Sequence, residues 1–212
     1  MRDDRASAAD RGWRTRAPAT LWRRFNRHWN DRMHDANPTD RRLSFAIVSA
    51  MIVLAALSRW LPHPWNFSPL EAIALFAGAR IADRRLAMLV PLLALFLSDW
   101  FIGFYADIWV VYACFAAMAL AGRRLRQAGP GKIASYGLIS AGGFFLITNF
   151  SVWALGTMYP HTASGLIGAY VSALPFLQNQ LAGVAFYGVL LFGGYALLDH
   201  GLRASEKSPL GY

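Results

Sequence analysis

The chain has few charged residues and one cysteine. Only 16% of its 212 residues are Asp, Glu, Lys or Arg, whereas a soluble domain has about 25%. Hydrophobic residues make up 56% of the chain. These values exclude a disordered protein and an ordinary soluble enzyme. Because Cys114 has no second cysteine to pair with, they also exclude a disulfide framework and a CxxC site. The composition predicts a small integral membrane protein.

The chain also lacks the common catalytic and metal-binding spacings. No HExxH, P-loop, GxSxG or EF-hand pattern occurs, and the five histidines are scattered. We therefore predict no metal, no cofactor, no catalytic residue and no ATP-hydrolysing machinery within the chain. One alternative is a thiol-dependent membrane enzyme, with Cys114 as the thiolate and Asp99 or His161 as the proton carrier. The apolar sequence around Cys114 argues against it, because such surroundings disfavour a thiolate.

Basic residues outnumber acidic ones, at 21 against 12. A basic chain can bind nucleic acid. Here, however, the basic residues lie between apolar segments, and the cytoplasmic loops of membrane proteins are enriched in such residues. The pattern predicts a membrane partner and no nucleic acid.

The N-terminal region, residues 1–42, holds eleven of the arginines. Leu21, Trp22, Phe25, Trp29 and Met33 recur at helical spacing, with arginines on the opposite face. This predicts a partly disordered region with an amphipathic helix at about residues 20–35, lying on an anionic membrane surface. The alternative is translation from Met33, which would leave residues 1–32 outside the native protein.

Six apolar segments follow, and they predict an all-α bundle. They cover residues 43–61, 67–81, 86–104, 108–122, 133–158 and 176–198. The short second and fourth segments suit helices that start inside a bundle. Twenty of the 21 basic residues fall in 1–42, 80–85, 123–132 and 199–212, and the exception is Arg59. Since positive charge collects on cytoplasmic loops, we predict a six-helix transmembrane domain over 43–198. Both termini are then cytoplasmic, and residues 199–212 form a short tail.

Polar and aromatic residues gather at the predicted outer ends of these segments. An interfacial aromatic belt explains part of the set, but amides and carboxylates inside apolar runs normally face the bundle interior. This favours an outward-facing pocket for a small polar solute. We expect hydrogen bonds to the solute from Asp99, Asn149 and Asn179. Trp100, Trp153 and Tyr159 are expected to stack on it.

For three carboxylates, a structural role in capping a helix or turn is an alternative to binding a ligand. Asp99 lies in LFLSDWF, where it contacts a ligand or caps the next turn. Asp107 precedes IWVVYACF and is predicted to be an N-cap. Glu71 follows Ser68 by three residues, with Pro69 between them, and is predicted to close a capping box.

Residues 43–198 resemble an uncharacterised family of small bacterial integral membrane proteins. The resemblance rests on Ser98-Asp99, Thr148-Asn149-Phe150, Trp153, Met158-Tyr159-Pro160 and Leu174-Pro175-Phe176. In size and helix number that family is similar to the substrate-binding S components of energy-coupling-factor vitamin transporters. The likeness implies uptake of a vitamin-like solute from the outer face, with a separate energy-coupling ATPase module as partner. S components contact that module through small residues on the first helix, a pattern that Ala46 and Ala50 match. The arginine-rich N-terminus departs from the pattern.

We therefore expect a multi-pass protein of the bacterial inner membrane that binds, and transports, a vitamin-like solute. The alternative from another class is a non-catalytic assembly or scaffold subunit. That subunit would use its basic N-terminal helix and small-residue helix faces to hold a partner.

Overall fold

The computed structural model describes residues 52–54, 57, 59 and 64–197. The predicted amphipathic helix, the tail and most of the first apolar segment lie outside these residues. The described chain contains helices and turns without a strand, as the all-α prediction requires.

Five α-helices occupy residues 64–197. They are α1 (Leu70–Arg80), α2 (Arg84–Ile102), α3 (Ile108–Gly122), α4 (Pro130–Leu155) and α5 (Ala163–Gly188). A 3₁₀ turn (Arg123–Leu125) follows α3, and a π-helical segment (Val189–Gly193) continues α5. Four stretches are long and apolar enough to cross a membrane: Arg84–Ile102, Ile108–Leu125, Pro130–Leu155 and Ala163–Leu197. The described chain is therefore compatible with a membrane protein.

Helix α1 is too short to cross a bilayer. Its 11 residues rise about 16 Å, roughly half the hydrocarbon thickness. It packs against α3 and α2, and also contacts α4 and α5. Its side chains are buried over most of its length, which suits a helix that starts inside the bundle.

The contact between α1 and α3 is unusually close because a glycine lies on each side. A Cβ atom at Gly78 would overlap the carbonyl oxygen of Ala119, and one at Gly122 would overlap that of Leu75. Glycine lets two helix backbones approach to this distance. This crossing therefore fixes α1 against α3.

The basic residues between helices meet at one end of the bundle. Arg126 donates to the carbonyl oxygens of Ile81 and Ala82 at 3.0 Å, and Arg123 donates to Ala82 at 3.1 Å. Residues 80–85 and 123–132 thus lie together, and we call this the basic end. The opposite end holds Asp99 and Asp107, and we call it the acidic end.

The last predicted helix begins earlier than the sequence indicated. Residues 159–175 were expected to form an outer loop, but α5 starts at Ala163, after the N-cap Thr162, whose hydroxyl accepts from the Gly165 amide at 3.2 Å. The helix continues through Pro175. Proline is tolerated inside membrane helices because neighbouring groups satisfy the freed backbone, so it did not mark the boundary.

Candidate functional site

The acidic end is built around the last two turns of α2. Ser98 and Asp99 are buried there, and Asp99 is only 1% exposed. Arg59 Nη1 lies 2.5 Å from both Asp99 Oδ1 and Ser98 Oγ and donates to each. Tyr112 of α3 donates its hydroxyl to Asp99 Oδ2 at 3.0 Å. Both carboxylate oxygens of Asp99 are therefore occupied, and its charge is balanced by Arg59.

Gly103 ends α2 and turns the chain toward α3. Its φ is +114°, and its amide donates to the carbonyl oxygen of Asp99 at 2.8 Å. Only glycine adopts this φ without strain. The turn brings the start of α3, and with it Tyr112, back to Asp99.

Tyr105 lies in the same turn, outside the helices. Burial raises the pKa of Tyr105 to about 12, and the negative charges of Asp99 and Asp107 act in the same direction. Arg59 acts in the opposite direction. Tyr105 therefore remains protonated at neutral pH, as a hydroxyl that can donate or accept.

Asp107 joins this cluster to α4. It occupies the N-cap position of α3, as predicted, but its side chain makes no capping hydrogen bond. Instead, Oδ2 lies 2.9 Å from the hydroxyl of Ser151, which is also 2.8 Å from the carbonyl oxygen of Thr148. The single hydroxyl proton is shared between these two acceptors. The capping prediction was thus right about position and wrong about the bond.

A second group of predicted site residues forms the corner between α4 and α5. Trp153 donates its indole N–H to the carbonyl oxygen of Pro160 at 3.0 Å and packs its ring on His161 at 5.8 Å. The Tyr159 ring lies beside Gly168. The side-chain amide of Asn149 donates a hydrogen bond to the carbonyl oxygen of Phe145, one turn earlier, at 2.8 Å. These contacts order the connection between the two helices.

The remaining predicted site residues lie elsewhere. Trp100 is 65% exposed and packs on Phe96 and Phe104, on the outer surface of α2. Asn179 lies 16 residues into α5, about 24 Å along the helix, and not at its start as expected. In the described chain, no side-chain hydrogen bond joins any two of the six predicted site residues. Their shared role in a pocket stays a prediction.

A buried polar pair at the centre of the bundle was not predicted. Gln180 donates its amide to Glu71 Oε1 at 2.6 Å and to the carbonyl oxygen of Ala141 at 3.1 Å. Glu71 does not close a capping box, because Pro69 is the N-cap and, in the described chain, the Ser68 hydroxyl accepts only from the Leu70 amide, at 3.3 Å. Capping signals cannot reveal a partner on a distant helix.

Cys114 lies on α3 and belongs to the hydrophobic core of the bundle, together with Phe115 and Met118. Among the described residues, no group of three or more His, Cys, Asp or Glu side chains is arranged to hold a metal ion. His161 contacts the carbonyl oxygen of Gly156 at 3.2 Å, in the corner after α4. Neither Asp99 nor His161 is hydrogen-bonded to the Cys114 thiol in the part of the chain that the structure describes.

Comparison with known proteins identifies a family and no function. Residues 39–206 match the family described as "Family of unknown function (DUF6580)". No curated protein and no solved structure matches the chain, and these comparisons do not show the expected similarity to S components. The match covers most of the chain, including every helix described above. The chain therefore belongs to DUF6580, a family of unknown function.

Proposed function

We propose that this protein binds a small polar solute at the acidic end of the bundle and moves it across the membrane. The observation that supports this most strongly is the Arg59–Asp99 ion pair, with Asp99 buried between apolar helices. A charge inside a membrane bundle is energetically unfavourable, and such groups commonly mark solute or ion pathways. Arg59 is 22% exposed and so is accessible to a solute.

The chemistry of the cluster indicates the class of solute. Arg59 offers guanidinium donors to a carboxylate or a ring carbonyl, while Tyr105 and Tyr112 offer hydroxyls. Aromatic rings in the turn and at the α4–α5 corner suit a flat molecule. A vitamin-like compound with an acidic or amide group fits this set, and Asp99 holds the arginine in place.

We also propose the membrane arrangement: six crossings, in which the short α1 and the residues before it together make the second, with both termini and the basic end in the cytoplasm. The hydrogen bonds from Arg123 and Arg126 to residues 81 and 82 support it, because they join two loops that the charge pattern assigns to the same side. The acidic end then faces outward. On the resemblance to S components, the membrane is the bacterial inner membrane, and a separate ATPase module supplies energy.

A thermal-stability screen tests solute binding. Detergent-purified protein is heated with each member of a panel of vitamins and related carboxylates, amides and amines. A ligand at about 100 times its Kd stabilises the folded state by about 2.7 kcal/mol. We expect at least one compound to stabilise the parent and the Asp83→Asn control, but not Asp99→Asn. If a compound stabilised Asp99→Asn as much as the parent, the binding site would not lie at the acidic end.

The competing proposal is a scaffold subunit. It is favoured by the large exposed apolar side chains of α4 and α5. Under that proposal the protein co-purifies in fixed stoichiometry with another membrane protein, and no compound in the panel stabilises it.

A further inference from the structure

The buried pair in the middle of the bundle contains a carboxyl group that the solute site does not use. Glu71 is 6% exposed and Gln180 is 3% exposed. Gln180 is the central residue of the long helical stretch Ala163–Leu197, and Ala141 lies near the middle of α4. The three groups therefore meet at mid-depth.

The two oxygens of the Glu71 carboxyl have different surroundings. Oε1 accepts the hydrogen bond from Gln180 at 2.6 Å, whereas Oε2 is buried and without a hydrogen-bond partner in the described chain. No Lys, Arg or His within residues 64–197 forms an ion pair with Glu71. Within the part of the chain that the structure describes, an ionised carboxylate here has one hydrogen bond and no opposite charge beside it, so burial disfavours the charged form.

Two features favour the ionised form. The Gln180 amide donates to the carboxylate, and Glu71 lies in the first turn of α1, where the helix dipole is positive. These effects oppose desolvation. A carboxyl that is subject to both opposing effects can gain and lose a proton, whereas a fully paired or a fully isolated group stays in one form.

Titratable groups occur on each described helix that packs against α1 and in the 3₁₀ turn. They are Arg84, Arg85 and Asp99 on α2, Tyr112 and Cys114 on α3, Lys132 and Tyr136 on α4, Tyr170 and Tyr187 on α5, Arg123 and Arg124 in the 3₁₀ turn, and Tyr195 after the π-helical segment. On α1 itself, Arg80 is nine residues from Glu71, about 14 Å along the helix. Cys114 is close enough to interact electrostatically with Glu71. A thiol supplies no positive charge.

We propose that Glu71, held by Gln180, is a proton-binding site at the centre of the bundle. Oε2 takes up a proton from water to form the carboxylic acid and returns it to water as the carboxylate forms again. This proposal does not depend on solute binding at the acidic end. If both hold, the protein carries its own protonatable group within the bundle that the solute crosses.

Infrared difference spectroscopy of the purified chain in detergent tests the proposal. The carboxylic-acid C=O stretch is followed between about pH 4 and about pH 9, a range that includes known buried glutamates. We expect an acid band in the parent that disappears as the pH rises and is absent from Glu71→Gln. Asp99→Asn and Asp83→Asn are the matched controls, and each should retain that band.

A second variant keeps the test decisive if Glu71→Gln does not fold. Gln180→Leu removes the donor that favours the carboxylate, so the acid band should persist to higher pH than in the parent. A parent without a Glu71-dependent acid band at any pH would overturn the proposal. A band that does not change over the whole range would also overturn it, since Glu71 would then be a permanently neutral structural group.

Discussion

Arg59 and Asp99, forty residues apart in the chain, form an ion pair of 2.5 Å at the acidic end of the bundle. The same Arg59 nitrogen reaches Ser98, and Tyr112 occupies the second oxygen of the carboxylate. The residues before α1, the end of α2 and the start of α3 are therefore joined through one buried side chain. This relationship explains both the exception to the charge pattern, Arg59, and the carboxylate inside an apolar run, Asp99.

The first prediction concerns the free energy of this pair. Asp99→Ala should destabilise the protein by about 3 kcal/mol, because it leaves Arg59 partly buried without a carboxylate. Tyr112→Phe should cost about 1 kcal/mol, the value of one hydrogen bond. The double variant Arg59→Ala/Asp99→Ala should lose less than the two single variants together. Equilibrium unfolding in detergent measures the free energy of unfolding of Asp99→Ala, Arg59→Ala, the double variant and Tyr112→Phe. If the losses of the two single alanine variants added up to that of the double variant, the pairing would be contradicted.

The second prediction concerns the crossing of α1 and α3. Gly78→Ala should destabilise the protein by about 1–3 kcal/mol, because the new methyl group overlaps the Ala119 carbonyl and the helices must move apart. Gly142→Ala is the matched control, since a Cβ at that position has no other atom within 4 Å. We expect its unfolding midpoint to stay at or above the parent value. Equal midpoints for the two variants would show that the crossing is looser than described.

The third prediction concerns pH and the start of α2. Hydrogen bonds from the backbone amides of Leu86 and Arg85 lower the pKa of Asp83 below its usual value. A lowered pKa in the folded state means that the cap stabilises the protein above the unfolded pKa. This contribution is lost as the pH falls through the folded value.

Thermal unfolding of the parent and of Asp83→Asn, measured from neutral pH down to acid pH, checks the cap. Asparagine can also cap a helix, but it has no negative charge to interact with the helix N-terminus and does not titrate. The parent should therefore lose its advantage over the variant as the carboxyl becomes protonated. Two parallel curves would show that the cap does not depend on charge.

The fourth prediction concerns the two faces of the membrane. In a Cys114→Ser background, a cysteine introduced by Thr157→Cys lies in the connection between α4 and α5, at the acidic end. Gly129→Cys places the thiol in the connection before α4, at the basic end. A membrane-impermeant maleimide added to intact cells should label the first, and the second only after permeabilisation. The reverse pattern would invert the proposed orientation.

Much of the helical pattern could be predicted from the sequence, because apolar runs bounded by charges define membrane helices. Segment 108–122 coincides with α3, and the short second segment corresponds to α1, which starts inside the bundle. The start of α5 could not be predicted in this way. Gly165, Ala169 and Ala173 form a small-residue stripe there, buried at a spacing of four, and this pattern is weaker than an apolar run. The helix also continues through Pro175, just before the predicted start of the segment at residue 176.

The sequence indicated which residues belong to the candidate site better than it indicated which of them contact each other. Asp99 was singled out as a carboxylate in an apolar run, and Arg59 as the basic residue outside the alternation. Their pairing could have been inferred from these two exceptions together. The Glu71–Gln180 contact could not, because 109 residues separate its members and the Ser68-Pro69 sequence offered a local explanation for Glu71.

The central claim is that the acidic end binds a solute, and small-molecule mass spectrometry of the purified protein tests it most directly. The parent, Asp99→Asn and the Asp83→Asn control are purified in parallel, shown to be folded and monodisperse, and analysed for retained compounds. We predict one polar, vitamin-like compound in the parent and the control that is absent from Asp99→Asn. A compound retained equally by all three would contradict the site at the acidic end. A parent that retains no compound, and that no compound in the panel stabilises, would contradict solute binding and favour the scaffold.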